Sequence, residues 1–492
     1  MNSAGQFGRR SGLSPATGQR RRAAPSGFRR PVAALALAGL VGCVDYHSAP
    51  IDPAHSVDEF AARRLDQPRL RGELAQLMPQ ATATWPPQQW DRAELLTVAL
   101  LQNPQLAVAR LEVKAALSHE ITAAETPNPD LTLQSEYARH DAYPWLYGVS
   151  LNWLLRTAER RRLDNEIARL ATGNARLQLM DQAWAVRSAL AGALSDWESA
   201  RRRLTLLGRL AAAQDRFVAL EKRRVEAGED ASSELVVSEQ ARIQIEQQQA
   251  ELHTLADASQ AAAAKALGLP PQALDGMALT WPEWGEPPPV DDIRRRETRE
   301  QALLSRADIA EAIGDYAAAE TKLQQSIARQ YPQFTLSPGF YWDHGIAKFP
   351  FDVGFALPLN RNKGEIAEAR TGRELAGQRM LALQADIYGE IESAERAEHI
   401  SRESTDAALR QLAAVRRQQQ QADLGVRLGA VGVLDQVGAE ILVTRAELEV
   451  AQMRTQLQAA RNTLEDVLHT PLSGPELALA KSLPAIASGS GS

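Results

Sequence analysis

Residues 145–155 read WLYGVSLNWLL, and together with the stretch that follows them they decide the fold. Apolar side chains alternate there with Gly, Ser and Asn, the period of two expected of a strand with one apolar and one polar face. Residues 129–140 carry a similar pattern. From about 158 to 226 there is no proline, and apolar residues recur at spacings of three, four and seven, as in packed helices. The sequence therefore predicts two strands followed by a very long helix, about 100 Å at 1.5 Å per residue.

The same order of segments returns about two hundred residues later. An offset of 203 pairs Pro129 with Pro332, and an offset of 201 pairs Gly228 with Gly429. The second copy repeats the period-two pattern over 332–342 and 348–359. We therefore predict an internally duplicated chain, mainly α with membrane β. The first repeat covers 85–278, with strands over 129–140 and 145–155, and the second repeat covers 293–472, with strands over 332–342 and 348–359. A proline-rich linker over 279–292 joins the two repeats, and a flexible tail covers 473–492.

The first 42 residues have the composition of a signal peptide. They contain seven arginines, no acidic residue, and an apolar run over 31–42 that is too short to span a bilayer. Residues 40–43, LVGC, resemble a bacterial lipobox, whose cysteine receives a lipid after the signal is cut. We expect a lipoprotein signal peptide over 1–42, a lipid anchor on Cys43 and an extended lipid-anchored segment over 43–84. An ordinary signal peptide or a buried cysteine is the alternative.

Charge and cysteine content exclude several classes of function. The formal charge of −6 becomes −13 without residues 1–42, which hold seven of the 55 basic residues and none of the 61 acidic ones. So acidic a chain argues against nucleic-acid binding. One cysteine excludes a disulfide framework and a cysteine-ligated metal site. No phosphate loop, nucleophile elbow or Rossmann fingerprint is present, so we expect no enzyme, no cofactor beyond the lipid and no metal site. His140 and His344 fall near hairpin tips, where solvated loop residues are expected and metal contact is the alternative.

The alternating segments are typical of transmembrane β-strands that face lipid on one side and water on the other. Two surface hairpins of a soluble domain are the alternative. Each copy supplies two strands, so one chain has four, whereas membrane barrels need at least eight. A membrane barrel therefore requires several copies of the chain.

The whole pattern resembles the TolC-like family of outer-membrane efflux proteins over roughly residues 85–472. The most similar stretches are 103–106 (NPQL), 331–336 (YPQFTL) and 355–366 (FALPLNRNKGEI). The resemblance implies a homotrimer in the outer membrane, with a twelve-stranded β-barrel continuous with a helical periplasmic tunnel. Its partners would be outer-membrane lipid, a periplasmic adaptor protein and an inner-membrane RND-type transporter.

We therefore expect a passive channel that carries small molecules or metal cations out of the cell. Residues 360–366, NRNKGEI, are closer to the heavy-metal branch of the family than to its drug branch. The alternatives are a periplasmic adaptor lipoprotein, which should contain separate small β-domains, a channel for drug or protein export, and a purely structural coiled coil.

The resemblance also implies roles for residues near the two helix breaks. Glu234 and Asp435 each lie six residues after a break glycine, where the family places gate carboxylates. Helix-start residues favoured by the helix dipole are the alternative for both. The family's second acidic residue in the second copy is replaced by Gly438. The residues expected to contact the adaptor are Arg224, Gly228, Arg427 and Gly429.

Overall fold

A computed structural model describes residues 45–78, 83–289 and 292–479. The predicted signal peptide over 1–42, Cys43 and most of the predicted tail lie outside the described residues. The chain divides into two compact units, Met1–Val57 and Asp58–Ser492. In the first unit the described residues, 45–57, are exposed. Among the described helices, none combines the length and the apolar composition needed to cross a bilayer.

The two halves of the chain share a central order of elements, which is two helices, a β-hairpin and two long helices. The first half has helices α1 (Pro53–Ala61), α2 (Pro68–Leu77), α3 (Arg92–Gln102) and α4 (Pro104–Ala124), strands β1 (Asp130–Tyr137) and β2 (Trp145–Leu155), and helices α5 (Arg160–Glu226) and α6 (Ser232–Leu267). The second half has α7 (Asp292–Ser305), α8 (Ala307–Ala328), β3 (Phe334–Asp343), β4 (Ile346–Lys348), β5 (Phe351–Phe355), α9 (Lys363–Arg427), α10 (Val433–Leu468) and α11 (Glu476–Leu479). The long helices match in length, with 67 and 65 residues for α5 and α9 and 36 each for α6 and α10.

The segment over 43–84, expected to be extended, contains the two short helices α1 and α2. A proline occupies the first turn of α2, where its missing N–H costs no hydrogen bond. Leu70 and Leu74, one helical turn apart, are fully buried in the core beneath it. Burial of this pair of leucines explains why the segment forms a helix here.

Asn103 and Pro104 start α4 and tie it to the end of α6. The Asn103 side chain accepts a hydrogen bond from the Gln105 N–H (2.8 Å) and donates one to the Ala266 carbonyl (2.8 Å). Gly268 ends α6 with φ +72°, and a Cβ atom there would lie 2.5 Å from the Gln102 carbonyl oxygen. The NPQL stretch therefore starts α4 and packs closely against Gly268 at the end of α6.

The five strands of the described residues belong to one antiparallel sheet in the order β1-β2-β3-β4, and β5 also pairs with β3. The sequence predicted a single strand over 348–359, whereas the structure has β4 over Ile346–Lys348, then a break, and then β5, which already ends at Phe355. Pro350 lies between them and has no N–H for the ladder, although its carbonyl accepts from the Gly339 N–H (2.9 Å). The proline thus interrupts the strand without detaching it from β3.

The long helices pack side by side, α5 against α6 and α10, and α9 against α10. The predicted helical seam is buried at Leu190, Leu194 and Leu207. Ion pairs link the two halves along this layer, from Arg209 to Glu447 and from Arg216 to Glu440, both at 2.6 Å.

A buried ionic cluster joins the C-terminal segment to the first half. The guanidinium of Arg187, 2% exposed, pairs with Glu465 on α10 and with Glu476 on α11, the latter at 2.7 Å. Burial alone would lower the pKa of Arg187, but Glu476 and Glu465 outweigh burial and raise it. Arg92 lies 3.7 Å from Glu476 and stacks over Trp281, so the same carboxylate contacts both α3 and α5.

Candidate functional site

One face of the sheet is apolar and exposed. Facing residues align across neighbouring strands, such as Leu133 opposite Val149 and Trp153 opposite Leu336, with Leu336 in turn opposite Val353. Leu133 is 76% exposed. We call this surface the apolar sheet face, and its exposed members are Leu131, Leu133, Tyr137, Trp145, Tyr147, Leu151, Trp153, Leu155, Phe351, Val353 and Phe355. A continuous apolar surface of this extent is unusual on a protein in water and is the kind of surface that contacts lipid.

The opposite face of the sheet is mostly polar, although Leu146, Leu154 and Tyr341 also lie on it. Its side chains form a hydrogen-bonded row across three strands, in which the Asn152 side chain donates to the Thr132 hydroxyl (3.0 Å) and the Ser337 hydroxyl donates to the Asn152 side-chain oxygen Oδ1 (2.7 Å). Gly148 and Gly354 also lie on this face. The sheet therefore has the two unlike faces that the period-two pattern predicted.

Both edges of the sheet are open in a single chain. In the described residues β1 pairs only with β2, and β4 and β5 pair only with β3. The outer backbone groups of these strands need partners, because unpaired N–H and C=O groups are costly in an apolar medium.

The two long hairpins turn in the same way. Gly228 (φ +76°) and Gly429 (φ +70°) follow α5 and α9. The next residue in each case reaches back, so that Glu229 N–H donates to the Arg224 carbonyl (2.9 Å) and Ala430 N–H donates to the Gly425 carbonyl (2.8 Å). This is the glycine-dependent Schellman turn, and it explains the break glycine in each copy.

The structure places the four expected docking residues in or beside these tip turns. Arg224 is half-buried and pairs with Asp230 at 2.8 Å, so its guanidinium stabilises the turn that follows α5. Arg427 is exposed in the last turn of α9.

Glu234 and Asp435 lie in the first turns of α6 and α10, and both are exposed. Asp435 accepts a hydrogen bond from the Gly432 N–H (3.0 Å), as a helix-start residue would. Both carboxylates nevertheless line one groove of about 780 Å³ between the two hairpins. We call this the tip groove.

Glu221 and Phe217 on α5 and Arg445 on α10 also line the tip groove, and sequence reasoning missed all three. A signal for Glu221 was present, because Gln214 and Glu221 continue the seam of Leu207 at intervals of seven. All three of these seam positions are buried, with exposures of 3%, 7% and 2%. Polar residues at buried seam positions mark a site that packing alone does not explain.

The two histidines near the hairpin tips differ in their surroundings. His140 is exposed. His344 (φ +46°) has Nδ1 2.6 Å from Asp343 Oδ1, and its Nε2 lies 4.0 Å from Asp141 Oδ2. In residues 45–78, 83–289 and 292–479 no three side chains are grouped as metal ligands.

No protein-family model and no curated protein matches the chain. Several solved structures are similar to it. The outer-membrane channel OprN has a TM-score of 0.64 and 18% identity, covering 86% of this chain and 98% of that one. The outer membrane protein VceC of Vibrio cholerae has a TM-score of 0.63 and 15% identity (78% and 97% covered), and CusC has 0.63 and 17% (78% and 95% covered). The chain therefore has the fold of these outer-membrane channels.

Proposed function

We propose that this chain, which has the fold of outer-membrane channels, is the passive exit channel of a tripartite efflux pump. The observation that carries the proposal is the apolar sheet face, which is exposed to its surroundings and lies on the same chain as helices about 100 Å long. A lipid-facing sheet places one end in a membrane, and the helices reach away from it. A periplasmic adaptor would contain separate small β-domains, whereas here the β-hairpins of the two halves join in one sheet.

The open edges of that sheet favour a homotrimer. Each chain supplies four strand positions, since β4 and β5 continue one another along β3. Three chains would give the twelve-stranded barrel of this family, with every edge paired and the row around Asn152 lining a wet lumen. The closely matched helix lengths in the two halves fit a duplicated chain, and three chains would form a tunnel of twelve long hairpin helices.

The tip groove supports a gate at Glu234 and Asp435. In a trimer these residues would bring up to six carboxylates to one constriction. They would attract cations and repel one another unless paired or protonated. The helix-start role of Asp435 is compatible with this, because an exposed carboxylate can cap a helix and still face solvent.

The partners in this proposal supply the energy that the channel lacks. A periplasmic adaptor would contact the exposed tip turns that contain Arg224, Gly228, Arg427 and Gly429, and an inner-membrane RND-type transporter would drive transport. A lipid on Cys43 would anchor the chain to the outer membrane, and no other cofactor is proposed.

The substrate is proposed to be small molecules or metal cations. The run over 360–366, which suggested the heavy-metal branch, lies at the start of α9. There Asn362 donates to the Ser326 carbonyl (2.9 Å) and Glu365 pairs with Arg329 (3.0 Å). These contacts give the run a structural role in the strand-to-helix turn, and its similarity to the heavy-metal branch stays a prediction about the substrate.

Deleting the gene and fractionating the envelope test this proposal together. We expect the chain in the outer-membrane fraction and increased sensitivity of the deletion strain to metals or drugs, restored by the wild-type gene. Sensitivity to neither class, or a chain recovered as soluble periplasmic protein, would contradict the proposal.

A further inference from the structure

The tip groove combines an apolar lining with an excess of negative charge. Its charged lining residues are three carboxylates and one guanidinium, from Glu221, Glu234, Asp435 and Arg445, for a formal balance of −2. The apolar lining comes from all four long helices, and its larger members are Phe217, Val237, Leu434, Ile441 and Leu442. Such a surface suits a ligand that is both apolar and cationic.

Glu221 lines this groove, and one of its carboxylate oxygens has no hydrogen-bond partner. Its side chain is 7% exposed, and its Oε2 atom is buried without a hydrogen-bond partner in the described structure. A buried acceptor without a partner is costly, and native proteins rarely keep one without a reason. Oε2 itself has almost no exposed surface, so a cationic donor in the groove would supply the missing bond once the Glu221 side chain turns toward it.

Gly438 gives the groove its apolar slot. A Cβ atom at this position would lie 3.6 Å from Cε2 of Phe217, at ordinary contact distance. Because glycine has no side chain, the edge of the Phe217 ring stays uncovered on this side. The position that the family pattern assigns to an acidic residue is therefore, in this chain, space beside an aromatic ring.

We infer that the tip groove binds amphipathic organic cations, with the apolar part of the ligand against Phe217, Ile441 and Leu442 and the cationic group paired with Glu221. This inference rests on the proposed function and names a substrate class for the same channel. A bare metal ion fits less well, since it would leave the apolar lining unused and the described residues group no three metal ligands.

Dye binding to the purified full chain in lipid nanodiscs tests the inference. We expect rhodamine 6G, an amphipathic cation, to bind at least about tenfold more tightly than sulforhodamine B, an anionic relative, with empty nanodiscs subtracted. Glu221→Gln keeps the shape but loses the charge, and should weaken rhodamine 6G binding about ten- to a hundredfold, as expected for loss of a charged hydrogen bond. Gly438→Leu should weaken it similarly by filling the slot beside Phe217.

Glu239→Gln is the matched control, because Glu239 is exposed on α6 and does not line the groove. It should leave the affinity unchanged. Equal affinity for the two dyes, or no effect of Glu221→Gln in a chain with wild-type helix content, would overturn the inference. Such a result in a chain that still fractionates as an outer-membrane trimer would leave the proposed function standing. A chain that binds the cationic dye but is soluble in the periplasm would instead overturn the proposed function.

Discussion

The lipid-facing role of the apolar sheet face can be tested by placing one charge on each side of the same strand. Leu133 and Gln134 are neighbours near the middle of β1, and both are exposed in the single chain. Leu133 points to the apolar sheet face, opposite Val149, whereas Gln134 points to the polar face, opposite Gly148. Leu133→Arg and Gln134→Arg therefore add the same side chain to the same strand and differ only in the medium that receives it.

The two variants should differ strongly in stability. Arginine on the lipid face of a membrane barrel costs about 2–4 kcal/mol near the bilayer midplane, hence about 6–12 kcal/mol for a trimer. Per chain, that lowers the ratio of folded to unfolded protein about thirty- to a thousandfold. Arginine on the wet face should stay within about 0.5 kcal/mol of wild type, as for an ordinary surface substitution.

Urea unfolding of the protein in lipid vesicles, followed by tryptophan fluorescence, measures this difference. We expect a clearly lower unfolding midpoint for Leu133→Arg and a midpoint near that of wild type for Gln134→Arg. If both variants unfold within about 0.5 kcal/mol of each other, the apolar sheet face does not meet lipid, and the membrane assignment of the sheet fails.

Three further predictions concern the helical part. Removing either gate carboxylate, by Glu234→Ala or Asp435→Ala, should increase single-channel current in planar bilayers or reduce cation selectivity, because fewer negative charges remain at the constriction; unchanged currents would remove these residues from the gate. Arg187→Met should destabilise the chain by about 3–5 kcal/mol, since it removes the closest cation from two buried carboxylates and leaves Glu476 only Arg92, 3.7 Å away; the denaturation midpoint measures the loss, and a change below about 1 kcal/mol would mean that the cluster carries little stability. His469 caps α10 at φ +48°, and burial, together with nearby Arg306, lowers its pKa. The histidine should therefore contribute stability above its unfolded pKa of about 6.5 that is lost as the pH falls, and His469→Asn, which tolerates the same φ, should flatten that part of the pH–stability profile. An unaltered profile would contradict this.

The period-two pattern and the spacing of apolar residues suffice to predict the elements of the repeat. They find β2 over 145–155, and the glycines at 228 and 429 mark the breaks between the long helices. These features are local, since a strand or a tight turn is specified by residues close together in the sequence. The break at Pro350 was equally local, and a proline inside a predicted strand was its signal.

The contacts that build the tip groove and the buried ionic cluster could not be predicted in this way. Arg187 pairs with Glu465 and Glu476, which lie 278 and 289 residues away in the sequence. The sequence shows that these residues are charged but does not show that they pair, because the pairing depends on how the two halves pack. Glu221 and Asp435 likewise reach one groove only because α5 and α10 lie side by side. Periodicity indicates which face of a helix is buried, but it does not indicate the partner against which that face packs.

The mass of the particle extracted from the outer-membrane fraction, measured by native mass spectrometry, tests the central claim most directly. A trimeric outer-membrane channel predicts one dominant species of three mature chains, each beginning at a lipidated Cys43, because only several copies can pair the open edges of β1 and β5. A monomer or dimer in that fraction, or recovery of the chain only from the soluble periplasmic fraction, would contradict it.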